Sequence, residues 1–249
     1  MTAVLLDIHR LGKCFDAFAA VEDLDLAVRP GTIHSVIGPN GAGKTTVFRL
    51  LTGILRPTHG KVIFDGQDIT GLRPYAIARR GLTQAFQITN VFPRMSVIES
   101  VQTAILAQRR RSWDFVSRYH RNVEQEGLGL LSQVGLQELA GNKAQTLSHG
   151  DQRILEVALA LATQPRLLLL DEPTAGMSPF ETDRMVRLVT ELARERGLTV
   201  LLSEHDMDVV FGISDEVTVL HQGRVIAHGP PRQVQGDQRV TEVYLGGEA

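Results

Sequence analysis

Residues 38–46 read Gly38-Pro39-Asn40-Gly41-Ala42-Gly43-Lys44-Thr45-Thr46. A glycine, four residues, then Gly43-Lys44 and the hydroxyl of Thr45 make the pattern of a phosphate-binding loop. Upstream, Ile33–Ile37 reads as a short buried strand. Downstream, Val47, Leu50 and Leu51 are apolar at helical spacing. The loop therefore sits where its chemistry needs it, between a strand and a helix N-terminus. The glycines let successive N–H groups turn toward phosphate oxygens, and the helix dipole adds positive potential there. In that geometry Lys44 reaches the β- and γ-phosphates and Thr45 places its hydroxyl on Mg²⁺. A glycine-rich turn beside a lysine is the plainer reading, and both flanks weigh against it.

Two later strand ends carry the matching chemistry. Leu167–Leu170 is an uninterrupted leucine run, the text of a strand buried on both faces, and it ends in Asp171-Glu172. Carboxylates are costly to desolvate there unless something positive accompanies them, and a nucleotide-bound Mg²⁺ supplies that charge. Asp171 is then expected to orient the metal's water shell, and Glu172 to polarise the water that attacks the γ-phosphate. A capped strand end is the alternative. Residues 199–202 read as another buried strand, leading into Ser203-Glu204-His205-Asp206. His205 can reach a γ-phosphate if this strand lies beside the first. Gln87 ends a short strand beginning at Leu82; it is either a surface residue or a group for Mg²⁺ or the attacking water.

The rest of the chain frames these ends. Val4–Leu11 and Ala19–Val28 read as strands preceding the loop, with Phe15 between them as ordinary core or as an aromatic face for adenine. Lys61–Phe64 is a strand followed by the hairpin signal Asp65-Gly66. Pro74–Arg80 reads as helix, and Pro173–Pro179 as loop before a helix over Glu181–Arg196. From Ser96 to about Ala144 the text turns helical and reads as an insertion in an α/β core. Its run Arg109-Arg110-Arg111 is either a solvated face or a contact with a partner subunit or lipid head groups. Ser148 and Asp151 form a capping pattern that opens a helix, a second place able to hold a phosphate. Val217–Leu220 and Arg224–Ala227 form a hairpin across Gln222-Gly223. The tail from Pro230 carries a short helix.

Composition narrows the class. The 249 residues are 43% hydrophobic and 22% charged, an ordinary globular mixture. Lys plus Arg number 26 against 28 Asp plus Glu, a net charge of −2, so no nucleic-acid partner is expected. The single Cys14 fits a reducing compartment. No apolar run approaches the roughly 18 residues of a transmembrane helix, and residues 1–13 lack the marks of a signal peptide. Work at a membrane would require another subunit to hold the chain there.

Together these motifs resemble the ATP-binding subunit of an ABC transporter over nearly the whole chain. Residues 38–46 match that family's Walker A loop, and Leu167–Pro173 its Walker B segment with Glu172 as catalytic glutamate. Leu147–Asp151 match its signature, with His149 and Asp151 in place of the commoner Gly and Gln. Gln87 matches the Q-loop glutamine, His205 the switch histidine and Phe15 the adenine-stacking aromatic. Ser178 stands where many members carry Asp, in a loop that usually crosses to the opposing subunit.

The resemblance implies an α/β fold: a P-loop NTPase core with an antiparallel β subdomain and an inserted α-helical subdomain. The core would span 1–95 and 145–230, the insertion 96–144 and the tail 231–249. The implied nucleotide contacts are Phe15, Gly38, Pro39, Asn40, Gly41, Ala42, Gly43, Lys44, Thr45 and Thr46. Glu172, His205 and Gln87 are the implied catalytic residues, with Thr45, Gln87 and (through water) Asp171 toward Mg²⁺. Ser148, His149, Gly150 and Asp151 would face ATP held by a second ATPase subunit, either a sister chain or another copy. The other implied partners are two membrane-spanning permease subunits and, indirectly, a periplasmic binding protein, with this chain peripheral on the cytoplasmic face of the inner membrane. Residues 85–93, 203–215 and the Glu-Val-Tyr-Leu-Gly stretch near the end resemble the subunit of branched-chain amino-acid importers. Urea or amide importers, lipid or lipopolysaccharide exporters and non-transport ABC ATPases are the alternatives.

Overall fold

The computed structural model describes residues 4–85, 94–109 and 117–245. Gln87, Arg110 and Arg111 lie outside the described residues. Two sheets organise the molecule. The first is antiparallel, in the order β2-β1-β4-β5, from β1 (Leu6–Phe15), β2 (Phe18–Val28), β4 (His59–Phe64) and β5 (Gln67–Asp68). The second contains β3 (Ile33–Ile37), β6 (Leu82–Ala85), β7 (Leu167–Asp171), β8 (Thr199–Ser203), β9 (Glu216–His221) and β10 (Arg224–Gly229). Its order is β10-β9-β3-β8-β7-β6, parallel throughout except for the β9–β10 hairpin.

The leucine run shows why β7 is apolar at every position. Leu168 and Leu170 enter the core formed with the helical layer, while Leu167 and Leu169 enter the core shared with the antiparallel sheet. Side chains alternate across a strand, so a strand covered on both faces has no polar side. The second of these cores also holds Val47, Phe48, Leu50 and Leu51 of α1 (Lys44–Leu51), which packs between the sheets. A short helix, α2 (Pro74–Ala78), precedes β6 and stops two residues short of the expected Arg80.

The helical layer comprises α3 (Val97–Gln108), α4 (Ser117–Gln133), α5 (His149–Leu161) and α6 (Pro179–Arg194). Ser96 caps α3 through a reciprocal box with Glu99. On α6, Met185, Leu188, Val189 and Leu192 form the buried stripe, as their spacing predicts. That helix starts earlier than the expected Glu181. Ser178 is its N-cap and Pro179 its first residue, a position where the missing N–H of proline costs no hydrogen bond. Beyond β8, α7 (Met207–Ile213) is capped by Asp206, which accepts from the N–H groups of Asp208 and Val209. After β10, the tail forms α8 (Pro231–Gln235) and α9 (Gln238–Leu245), two helices rather than one. Their Val234 and Val240 join Ile37, Val210 and Val219 in a third core. Among the described residues no helix is long and apolar enough to cross a membrane.

Candidate active site

The strand order brings three expected segments to one edge. β3, β8 and β7 are parallel neighbours, and Val36, Ser203 and Asp171 lie in one register row. The phosphate loop, Ser203–His205 and Asp171-Glu172 therefore emerge side by side at the carboxyl ends, where open α/β sheets bind ligands. β6, beside β7, ends at Ala85 just before Gln87.

The loop ends at Gly43, the N-cap of α1, with φ +105° and no side-chain cap. A Cβ on Gly43 would come within 2.6 Å of Ala20 O, so only glycine fits between loop and β2. The hairpin turn braces the loop from the other side: Gly223 N donates to Ala42 O at 2.9 Å, and Glu22 N donates to Gly223 O at 2.8 Å. The first N–H groups of α1 are thus held open toward a cavity of about 330 Å³. Phe15, Phe18, Asn40, Lys44, Thr45 and Glu172 are among its lining residues.

Lys44 is 6% exposed, and its ammonium donates to Gly38 O at 2.6 Å and Pro39 O at 3.2 Å. Burial lowers its pKa below the ordinary lysine value, opposed by the negative charges of Glu172 and Asp171. Ser203 organises the acidic pair. Its hydroxyl donates to Asp171 Oδ1 at 2.6 Å, and its hydroxyl and carbonyl oxygens accept from Glu172 N at 3.2 and 3.1 Å. His205 Nε2 lies 2.5 Å from Glu172 Oε1, so the ring donates to the carboxylate expected to act on water. The buried Glu204 accepts from Thr174 N, Thr174 Oγ1 and His205 N at 2.9, 2.7 and 3.1 Å, tying the loop after Glu172 to the strand end before His205.

Phe15 is 43% exposed at the cavity mouth, with the Lys13 ammonium 5.0 Å from its ring centre. It is not core. Phe18, its register partner across the hairpin, is 65% exposed in the same cavity and escaped the sequence reading. Its signal was the pair of aromatics flanking Asp16-Ala17. For Mg²⁺, the Thr45 hydroxyl and the Asp171 carboxylate are hard oxygen donors. Among the described residues no group of three or more His, Cys, Asp or Glu could hold a metal by itself. Such a set suits Mg²⁺, which takes one or two carboxylates along with substrate phosphates.

Ser148, His149, Gly150 and Asp151 do not line this cavity. They form the tip of α5, where Ser148 Oγ accepts from Asp151 N at 3.1 Å. Asp151 turns inward: Oδ1 accepts from Arg184 Nη1 at 2.5 Å and Oδ2 from Ser148 Oγ at 3.0 Å. The tip thus offers a second set of donors on the same chain, away from the first.

Known proteins match this architecture. The family described as "ABC transporter" matches residues 21–175, and that described as "Branched-chain amino acid ATP-binding cassette transporter" matches residues 224–249. The high-affinity branched-chain amino acid transport ATP-binding protein BraF of Pseudomonas aeruginosa is 40% identical over 256 residues, covering 99% of each chain. LivG of Escherichia coli, of the same description, is 40% identical over 253 residues and 99% of each. The lipopolysaccharide export system ATP-binding protein LptB of Haemophilus influenzae is 35% identical over 242 residues and 97% of each. Among solved structures, the ADP conformation of an ATP-binding cassette of an ABC transporter superposes with a TM-score of 0.86 at 30% identity, covering 98% of this chain and 100% of that one. With a glycine-rich loop at a helix N-terminus beside an acid–histidine pair and relatives matched end to end, the chain belongs to the ABC transporter family as one of its ATP-hydrolysing, ATP-binding cassettes.

Proposed function

We propose that the chain is the ATP-hydrolysing subunit of a branched-chain amino-acid importer, peripheral on the cytoplasmic face of the inner membrane. It would drive two separate membrane-spanning permease subunits that receive solute from a periplasmic binding protein. The observation that carries the solute class is the match of residues 224–249 to the branched-chain cassette family. Identity of 40% to BraF and LivG supports it, against 35% to the lipopolysaccharide-export relative.

In this reading the loop from Gly38 to Thr46 cradles the phosphates of ATP, with Lys44 on the β- and γ-phosphates. Phe15 stacks on adenine. Thr45, Gln87 and, through water, Asp171 hold Mg²⁺, whose charge when bound offsets that of the phosphate oxygens. Glu172 polarises the attacking water, and His205 holds the carboxylate and meets the γ-phosphate. Ser148 and Gly150 close over ATP held by a second ATPase subunit, a sister chain or another copy. Residues 96–144 form the helical subdomain that passes closure to the permeases.

Purification of the assembled transporter with its binding protein tests the solute. Leucine, isoleucine or valine should bind that protein and stimulate ATP hydrolysis by the assembly. A binding protein selective for urea or short amides, or an ATPase stimulated only by lipid, would overturn the solute class and leave the cassette chemistry standing.

A further inference from the structure

The tip of α5 already carries an anion. Glu181, in the first turn of α6, accepts from Gly150 N through Oε1 at 3.1 Å. Its Oε2 accepts from Ser178 N at 3.0 Å and Ser178 Oγ at 2.8 Å. One carboxylate therefore bridges two helix N-termini, its own and that of α5. These donors hold its pKa below the usual glutamate value, Ser178's backbone N–H first, then the Ser178 hydroxyl and Gly150's N–H. The approach is close: a Cβ on Gly150 would lie 2.5 Å from Glu181 Oε1 and would push the carboxylate off the helix tip. The other acid at the tip, Asp151, is paired with Arg184, which also donates to Gly135 O at 2.8 Å. Glu181 is instead matched by N–H and O–H donors.

On the reading that this tip closes over the γ-phosphate of a facing subunit, the two anions compete for Gly150. We infer that Glu181 is a gate: a resident carboxylate standing in the γ-phosphate's place on Gly150, whose displacement sets the ATP concentration at which two subunits close. The bond network shows how it can leave. Oε1 releases Gly150 while Oε2 keeps the α6 cap through Ser178. Ser178 also ends the loop that begins at Pro173, directly after Glu172. This gives Ser178, the residue standing where many relatives carry Asp, a physical role: its serine hydroxyl and N–H retain Glu181 in both positions.

The test uses the Glu172→Gln chain, in which slow hydrolysis lets closure accumulate, and follows ATP-driven self-association by analytical ultracentrifugation. Adding Glu181→Gln keeps side-chain length and capping capacity but removes the charge. The ATP half-point for association should fall about fivefold, because a like-charge contact with phosphate is gone. ATP binding by the dilute chain, read with a fluorescent analogue, should not move. A residue that merely stabilised α6 would shift the half-point upward or not at all. An unchanged or higher half-point with association still ATP-dependent would overturn the gate and leave the two-subunit site standing. No ATP-driven self-association even with Glu181 intact would overturn closure between two copies of this chain, and this gate with it.

Discussion

At Glu172 the backbone is left-handed, with φ +51°. A non-glycine residue holds that conformation at a cost of order 1 kcal/mol, so neighbours must enforce it. Ser203 does so by accepting Glu172 N through two oxygens, and Ala175 N closes the turn on Glu172 O at 3.2 Å. The bend carries the chain out of β7 and lets its carboxylate meet His205 rather than continue along the strand. Glu172→Gln keeps that hydrogen-bonding shape and removes the base. Its kcat should fall on the order of 100-fold or more, with ATP affinity within about twofold of the parent, since a general base acts only in the transition state. Single-turnover hydrolysis beside an equilibrium binding titration separates the two quantities. Near-normal turnover would take Glu172 out of the role.

Among the elements, the β3–β9–β10 corner upstream of the phosphate loop carries a histidine that catalysis does not use. His34 is fully buried on β3, with Nε2 2.8 Å from Thr218 Oγ1 on β9 and its ring stacked on His228 of β10 at 5.6 Å. Glu216 Oε2 lies 3.7 Å from its Nδ1 and is also paired with Arg29. Burial, then His228 and Arg29, lower the pKa of His34 from 6.5 to about 3. The folded chain therefore keeps this ring neutral while the unfolded chain protonates it. Between pH 6.5 and about 3 the unfolded state binds the extra proton, so stability is full above that window and falls as pH drops through it. His34→Gln should remove roughly 1 kcal/mol of acid sensitivity per pH unit in that range. Urea unfolding at pH 6.5 and 5.5, parent against variant, reads the difference directly. Parallel pH profiles would mean that His34 takes up its proton alike in the folded and the unfolded chain.

Across the whole molecule, what could be read from the chain followed from short range. The loop at 38–46, the β7 leucines and the Asp171-Glu172 end are contiguous text whose chemistry is local, and the structure places them as read. β1 runs past the expected Leu11 to Phe15 and β4 starts before the expected Lys61 at His59, because Gly12 and Gly60 have no side chain to continue the apolar alternation that marks a strand. Glu181 on Gly150 and Arg184 on Asp151 were illegible, since both join residues more than thirty positions apart, and Glu181 reads locally as a helix cap. The same separation bears on how the site is completed. Lys44 and Glu172 line one cavity, whereas the Ser148–Asp151 tip lies outside it on the same chain. If the second subunit is another copy turned to face the first, each tip would meet the other's cavity and two equivalent composite sites would form. Complementation follows from that symmetry. Lys44→Ala spoils the cavity half and Ser148→Arg the tip half, so either variant alone has no intact composite site. Mixed in equal amounts, half the pairs are hybrids, and each hybrid joins the sound cavity of one chain to the sound tip of the other. Steady-state hydrolysis should rise from near background to about a quarter of the parent rate if the sites act independently. If each chain completed its own site, mixing would give only the average of two inactive preparations, and a flat mixing curve would reject a site shared between two copies of this chain.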